Sequence, residues 1–291
     1  MWTNSKYVLA ICWILFHSPS FGQREIPEIY LNHLYVVIDS AAYQHLFDSS
    51  VLTKRILYTM QNSTQTSQNS YTGKYLAGKN CYLEFFTPAS HPGLSTGSIG
   101  LGFMTLKSND IKKVKEYWEK NTKDSISLQT VETYENAQMR PWYYDLELYR
   151  PGNNAPVKAW LMENTREDLL LAGFSEQEIE NDKISWQSYI ERQNKTTLKK
   201  AFDRILSVQL AVNKTEFEYL KKTFTGLGLT QSRHSFYNNH ITVNCKINAH
   251  SSSRLKKLEV ELSEPFPKTV IKAGDHITVH INGKKAVWDF K

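Results

Sequence analysis

Residues 31–39, LNHLYVVID, alternate in character. Leu34, Val36 and Ile38 point one way, while His33, Tyr35 and Val37 point the other. This is the two-residue period of a strand with two distinct faces. The first face is purely aliphatic and predicts a helix packed beneath it. Residues 40–52 supply that helix, with Asp39 or Ser40 as its cap. A strand at 56–61, a polar loop at 62–70, and strands at 71–76 and 81–87 joined across 77–80 complete a β-α-β-β-β order. A Pro- and Gly-marked linker follows at 88–97. The order then recurs. Residues 99–107 read as a strand, and 110–121 as an amphipathic helix with Val114, Tyr117 and Trp118 inward. Strands follow at 127–134, 142–149 and 157–164.

Residues 166–202 change to an acidic and then basic helical pattern, read as connectors. A third, weaker copy follows. It has a strand at 205–212, a helix at 214–225 stopped by Gly226 and Gly228, and strands at 240–247, 255–262, 276–281 and 285–290. The predicted fold is α+β. Tandem βαβββ units (24–165) form a curved, cup-shaped mixed sheet with helices outside. A helical connector (166–202) leads to a third, partial βαβββ-like unit (203–291). Internal repetition of this kind constrains architecture more strongly than composition does.

In such a cup, the strand faces opposite the helices line a hollow. Leu83 and Phe85 belong to the helix side of their strand, so Tyr82, Glu84 and Phe86 face the hollow with His33 and Tyr35. An imidazole with a carboxylate can begin a divalent metal site of the Zn, Fe, Mn or Ni kind. Without an ion, Glu84 can carry a proton as a catalytic group. The pair can equally be a hydrogen-bonded or purely structural one. Aligning Asp39 with Lys107 puts Leu101 where His33 stands, and aligning the last strands puts Met162 where Glu84 stands. Glu163 falls one position off, on the other face. Tyr35, Tyr75, Tyr82, Phe86, Trp142, Tyr144 and Trp160 are candidates for an apolar or aromatic ligand, with cross-strand packing as the alternative. His234 with His240, and His276 with His280, read as strand-edge or surface residues. Gly97, Gly100 and Gly102 lack the spacing of a dinucleotide fingerprint. Cys81 lies in a strand with no base in view.

The segments LNHLYVVIDS and YLEFFTP resemble the histidine and glutamate strands of the vicinal oxygen chelate superfamily. Glyoxalase I, extradiol dioxygenases, and fosfomycin- and bleomycin-resistance proteins belong to it. The likeness covers residues 31–165. LNHLYVVIDS with YTGKYLAGKNCYLEFF is more narrowly similar to an uncharacterised family of secreted bacterial glyoxalase-like proteins. The resemblance implies His33 and Glu84 as metal ligands, with Leu101 and Met162 leaving the second unit's ligands unmatched.

The 291 residues are 41% apolar, enough for a large core, and the net charge of +6 is scattered among acids. That distribution describes solvated helix faces and excludes a nucleic-acid interface. Lys6, the apolar run at 7–16 and small residues near Gly22 read as a signal peptide over 1–23, and so as a periplasmic or secreted protein. Ten apolar residues fall short of the ~20 that span a bilayer, and no membrane span is expected in the mature chain. Cys81 and Cys245 remain after cleavage and read as two buried thiols. The first functional expectation is metal-assisted lyase, isomerase or oxygenase chemistry on a small oxygenated molecule. The second is a non-catalytic module binding an apolar or aromatic small molecule, with one divalent ion in the former and none in the latter. A third is an assembly role in which the C-terminal copy pairs with another chain, a homodimer included.

Overall fold

A computed structural model describes residues 26–105, 107–135, 138–148, 155–181, 184–195, 197–248 and 254–291. Residues 1–23, expected to form a signal peptide, lie outside the described residues. The first unit runs β1 (Ile29–Val37), α1 (Ser40–Asp48), β2 (Tyr58–Gln65), β3 (Ser70–Ala77) and β4 (Tyr82–Phe86). The second runs β5 (Ile99–Thr105), α2 (Asp110–Asn121), β6 (Ile126–Glu135), β7 (Gln138–Leu148) and β8 (Val157–Asn164). All eight strands form one strongly curled sheet in the order β2-β3-β4-β1-β5-β8-β7-β6. Each closing strand lies parallel to the opening strand of its unit, and β1 meets β5 antiparallel at the centre. The curl is so strong that the sheet's two edges touch. Thr66 bridges Thr133, and Ser67 N donates to Glu132 O at 2.9 Å. Curling an eight-stranded sheet this far leaves an interior wide enough for one small ligand.

Three short helices follow: α3 (Arg166–Leu171), α4 (Glu176–Glu180) and α5 (Trp186–Asn194). The chain then builds a second sheet from β9 (Phe202–Val212), α6 (Lys214–Gly226), β10 (Thr230–Ser232), β11 (Ser235–Tyr237), β12 (Thr242–Ile247), β13 (Leu255–Ala273) and β14 (Ile277–Phe290). Its order is β10-β11-β12-β9-β13-β14, with β12 parallel and β13 antiparallel to β9. That is the arrangement of β4 and β5 around β1. The third copy therefore carries a full set of four strands and a helix, and a long hairpin occupies the place of a partner unit.

The helix sides of the two sheets share one hydrophobic core. Leu34, Val36, Leu83 and Phe85 belong to the same cluster as Phe202, Val208, Leu258 and Trp288. Tyr219 of α6 ties the layers together, donating to Ala159 O and accepting from Ala159 N, both at 3.1 Å. Gly226 ends α6 inside the helix. A Cβ there would meet the Trp118 indole at 2.2 Å, so its role is close approach. The stop is Gly228, at φ +86°. The polar stretch at 62–70 differs from the expected loop. Residues 62–65 extend β2 and pair with β3 through Gln65↔Ser70, because both faces of this tip are open and polar side chains cost nothing there. The helix expected over 40–52 ends at Asp48. A π-helical turn at Leu52–Ile56 follows, closed by Leu57 N to Leu52 O at 2.8 Å. Asp39 is the cap of α1, accepting from Ala42 N at 2.9 Å.

Candidate functional site

The concave face of the curled sheet encloses a cavity of about 480 Å³. Strand parity assigns its walls. β1 presents His33 and Tyr35, β4 presents Tyr82, Glu84 and Phe86, and β3 adds Tyr71 and Tyr75. From the second unit come Trp142, Tyr143, Asp145 and Glu147 of β7, and Lys158, Trp160 and Met162 of β8. Trp142 sits at a bulge between Val131↔Tyr143 and Glu132↔Pro141. Tyr144 corrects the expectation made for it. It pairs with Glu163, faces the helix side and packs against the hydrophobic core, and Tyr143 takes the inward place. A one-residue shift of parity exchanges every side chain between the faces.

His33 owes its position to a bulge and two glycines. The register shifts between Leu31 and His33, so consecutive residues Asn32 and His33 both reach the cavity. Asn32 Oδ1 lies 3.0 Å from His33 Nδ1. The imidazole stacks on Tyr82 at 4.7 Å and meets the edge of Trp160 at 5.2 Å. It lies across Gly102, where a Cβ would stand 2.2 Å from His33 Cε1. Tyr35 lies across Gly100 in the same way, at 2.0 Å. Gly100 and Gly102 are therefore seats for two rings. In the register, His33↔Tyr82 corresponds to Gly102↔Trp160. The second-unit counterpart of His33 is thus Gly102. Leu101 points into the hydrophobic core, and the alignment on Asp39 and Lys107 was one residue out.

His33 and Glu84 line the same cavity without touching by hydrogen bond or ion pair. Burial holds the imidazole neutral down to about 3. Glu84 stands opposite Tyr35 on one side and Tyr75 on the other. Burial lifts its carboxyl to about 7, against the smaller opposing effect of the Tyr75 phenol. The closing strand of the second unit offers Met162 and Trp160 to the cavity. Glu163 points away and caps α2, accepting from Asn109 N at 2.7 Å and Ile111 N at 3.0 Å. Among the described residues no three His, Cys, Asp or Glu side chains converge. Two separated donors make an incomplete set for a resident divalent ion.

Asp145 was not anticipated. It is 8% exposed, its Oδ1 has no hydrogen-bond partner, and its Oδ2 accepts from Gln129 at 3.4 Å. Burial, and then the charge of Glu147, raise it to about 7 although Lys158 and Gln129 act in the opposite direction. Reading β7 with Tyr143 inward would have exposed it, since 143, 145 and 147 share a face.

The connector is also part of the site. Trp186, Tyr189, Ile190 and Gln193 of α5 cover one side of the cavity. Trp186 stacks on Tyr82 at 4.5 Å, extending the ring stack that begins at His33. Asp168, fully buried, fixes this wall. It accepts from Arg140, Asn164 and Tyr189, each at 2.8 Å. Cys81 and Cys245 are unbonded and buried, and burial pushes both thiols up. Neither lines the cavity.

No curated protein matches the chain. Among solved structures, the crystal structure of a hypothetical protein from Staphylococcus aureus is similar over 78% of this chain and 88% of that one, with 10% identity and a TM-score of 0.45. A family of unknown function (DUF5829) matches residues 31–290, from the first strand to the last, and the chain belongs to that family.

Proposed function

We propose that this protein binds a small organic molecule in the curled sheet. The reading rests on one observation: a cavity of about 480 Å³ lined by stacked rings and by two buried carboxyl groups, Glu84 and Asp145, that no described cation pairs. Cavities of roughly 300–1,000 Å³ with apolar walls and few convergent polar groups are the usual form of small-molecule sites. Here rings supply contact area, and Asn32, Gln129 and the carboxyls supply orientation. A thermal-shift screen of aromatic and polar fragments tests it. Binders should raise the Tm by mass action, and Trp160→Ala and Trp186→Ala should each weaken them. A fragment set that never stabilises the wild type, or does so equally in both variants, refutes the reading.

A second reading is favoured by Glu84 itself. A carboxyl held near 7 in a water-poor site is suited to passing a proton to and from a bound substrate. The paired βαβββ order and the His33–Glu84 placement support a relationship to vicinal oxygen chelate enzymes. Elemental analysis of protein purified without a metal-affinity tag tests the metal-assisted form. A stoichiometric transition metal lost in His33→Ala supports it, and metal-free protein whose turnover of a bound ligand is lost in Glu84→Gln and kept in Asp145→Asn assigns the proton step to Glu84.

A further inference from the structure

We propose, resting on the small-molecule reading above, that the cavity selects an organic ammonium ion, seated against the ring faces and attracted by the uncompensated carboxyls of Glu84 and Asp145 that line it. The cavity's charge inventory points this way. Three carboxyl groups line it, Glu84, Asp145 and Glu147, against one ammonium, Lys158. His33 is held neutral by burial, and burial also lowers His91. The titratable groups facing Glu84 are phenols and the neutral imidazole: Tyr71 and Tyr75 from β3, Tyr82 from β4, Tyr35 and His33 from β1, and Tyr143 from β7. Around Asp145 stand Gln129 from β6, Glu147 from its own strand and Lys158 from β8. Lys158 forms no ion pair with either acid, and its attraction does not offset the cost of burying Asp145. Glu84 and Asp145 come from the two different units, and both line this one cavity together with Tyr143.

Asp145 Oδ1 is the second, independent observation. It is a buried acceptor without a donor in a residue that lines the cavity. Native folds rarely leave such an atom unpaired. A ligand N–H would donate to this atom, and a positive charge would in addition compensate the ionised carboxylates, which a neutral donor does not do. The rings complete the chemistry. Tyr and Trp faces attract cations through their quadrupole, and do so more strongly when water is excluded. A neutral polyol would find hydrogen-bond partners among the amides and carboxyls, but it would leave the carboxylate charge uncompensated and the ring faces unused.

The linkage has a definite sign. Asp145, which bears the unpaired acceptor, sits at about 7 in the free protein. An arriving cation favours its ionised form, so binding releases a proton and tightens as pH rises. If Asp145 must ionise, the competent fraction makes affinity roughly thirtyfold weaker at pH ~5.5 than at pH ~8.5.

Phenyltrimethylammonium, its uncharged isostere tert-butylbenzene, and glucose are the probes. Each is titrated calorimetrically across that pH range, in two buffers of different ionisation enthalpy. The inference expects the ammonium to bind about tenfold or more tightly than the isostere. It also expects proton release near neutrality, and loss of both preference and pH dependence in Glu84→Gln with Asp145→Asn. Circular dichroism confirms that the variants are folded. Loss of the pH response in Asp145→Asn alone, with the response kept in Glu84→Gln alone, is a second supporting result. Equal or tighter binding of tert-butylbenzene or glucose, or an ammonium affinity that ignores pH, overturns the inference. If that neutral binding is weakened by Trp160→Ala, the small-molecule reading survives. An ammonium that does not bind at all also overturns the inference, and the fragment screen then decides the broader reading separately.

Discussion

Replacing Glu84 by Gln makes permanent the neutral state that the fold prefers at this position. The carboxyl rises from 4.5 to about 7 because burial disfavours its charge. Each unit corresponds to about 1.4 kcal/mol between the two protonation states, so the ionised form costs the native state about 3 kcal/mol. The sign follows from proton counting. Between about pH 4.5 and 7 the native state keeps a proton that the unfolded chain has lost. The stability tied to the neutral carboxyl is complete below about 4.5 and gone above about 7. Glu84→Gln removes this dependence. Urea unfolding of wild type and variant at intervals across this range is the assay. The variant's stability relative to wild type should grow by about 3 kcal/mol from the acid to the alkaline end. Contributions from His33 and other groups occur in both proteins and cancel in the difference. Parallel curves, differing by under ~1 kcal/mol in slope across the range, would mean that Glu84 is ionised and compensated in the fold. The charge reasoning for the whole cavity would then fail.

Three further outcomes follow from the same geometry. Gly102→Ala places a Cβ 2.2 Å from the His33 ring. It should cost about 1–3 kcal/mol with a changed near-ultraviolet spectrum as the stack shifts, and unchanged stability would show that the ring is not seated on Gly102. Asp168→Ala strands the Arg140 guanidinium and frees Asn164 and Tyr189. A loss of about 3–5 kcal/mol is expected, with faster hydrogen exchange in α5 than in β1. His33→Phe should raise acid resistance. The native imidazole stays neutral to about 3, so between about 6.5 and 3 the unfolded chain binds the extra proton and stability falls on acidification. An acid-unfolding midpoint that does not move to lower pH in the variant counts against a buried, neutral His33.

How much was legible can be argued from particular strands. From His33 onward in β1, and across β4, the helix-side positions Leu34, Val36, Leu83 and Phe85 are all apolar, and the polar residues fall on the other parity. Parity therefore assigned His33, Tyr35, Tyr82, Glu84 and Phe86 to the inner face, where all five are found. In β7 the run WYYDLEL opens with three aromatic residues, and a bulge falls at Trp142. No residue pattern marks that bulge, so parity counted from Trp142 puts Tyr144 inward and hides Asp145, whereas Tyr143, Asp145 and Glu147 line the cavity. The connector failed for another reason. Trp186 and Tyr189 reach the cavity because Asp168 anchors their wall to Arg140 and Asn164, and no local spacing encodes a contact across that distance in the chain.

By itself the amino-acid order determined the repeating βαβββ units, the aliphatic side of each clean strand and the pairing of an imidazole with a carboxyl on one concave face. These follow from short-range periodicity, since side-chain direction is set by backbone geometry two residues at a time. Tertiary structure alone decided the curl that joins the sheet's edges, the glycines that seat His33 and Tyr35, the helix that walls the cavity, and the upward shift of the Glu84 and Asp145 carboxyls. Each of these depends on what a distant segment places beside a group, and burial and charge are properties of that neighbourhood rather than of the residue.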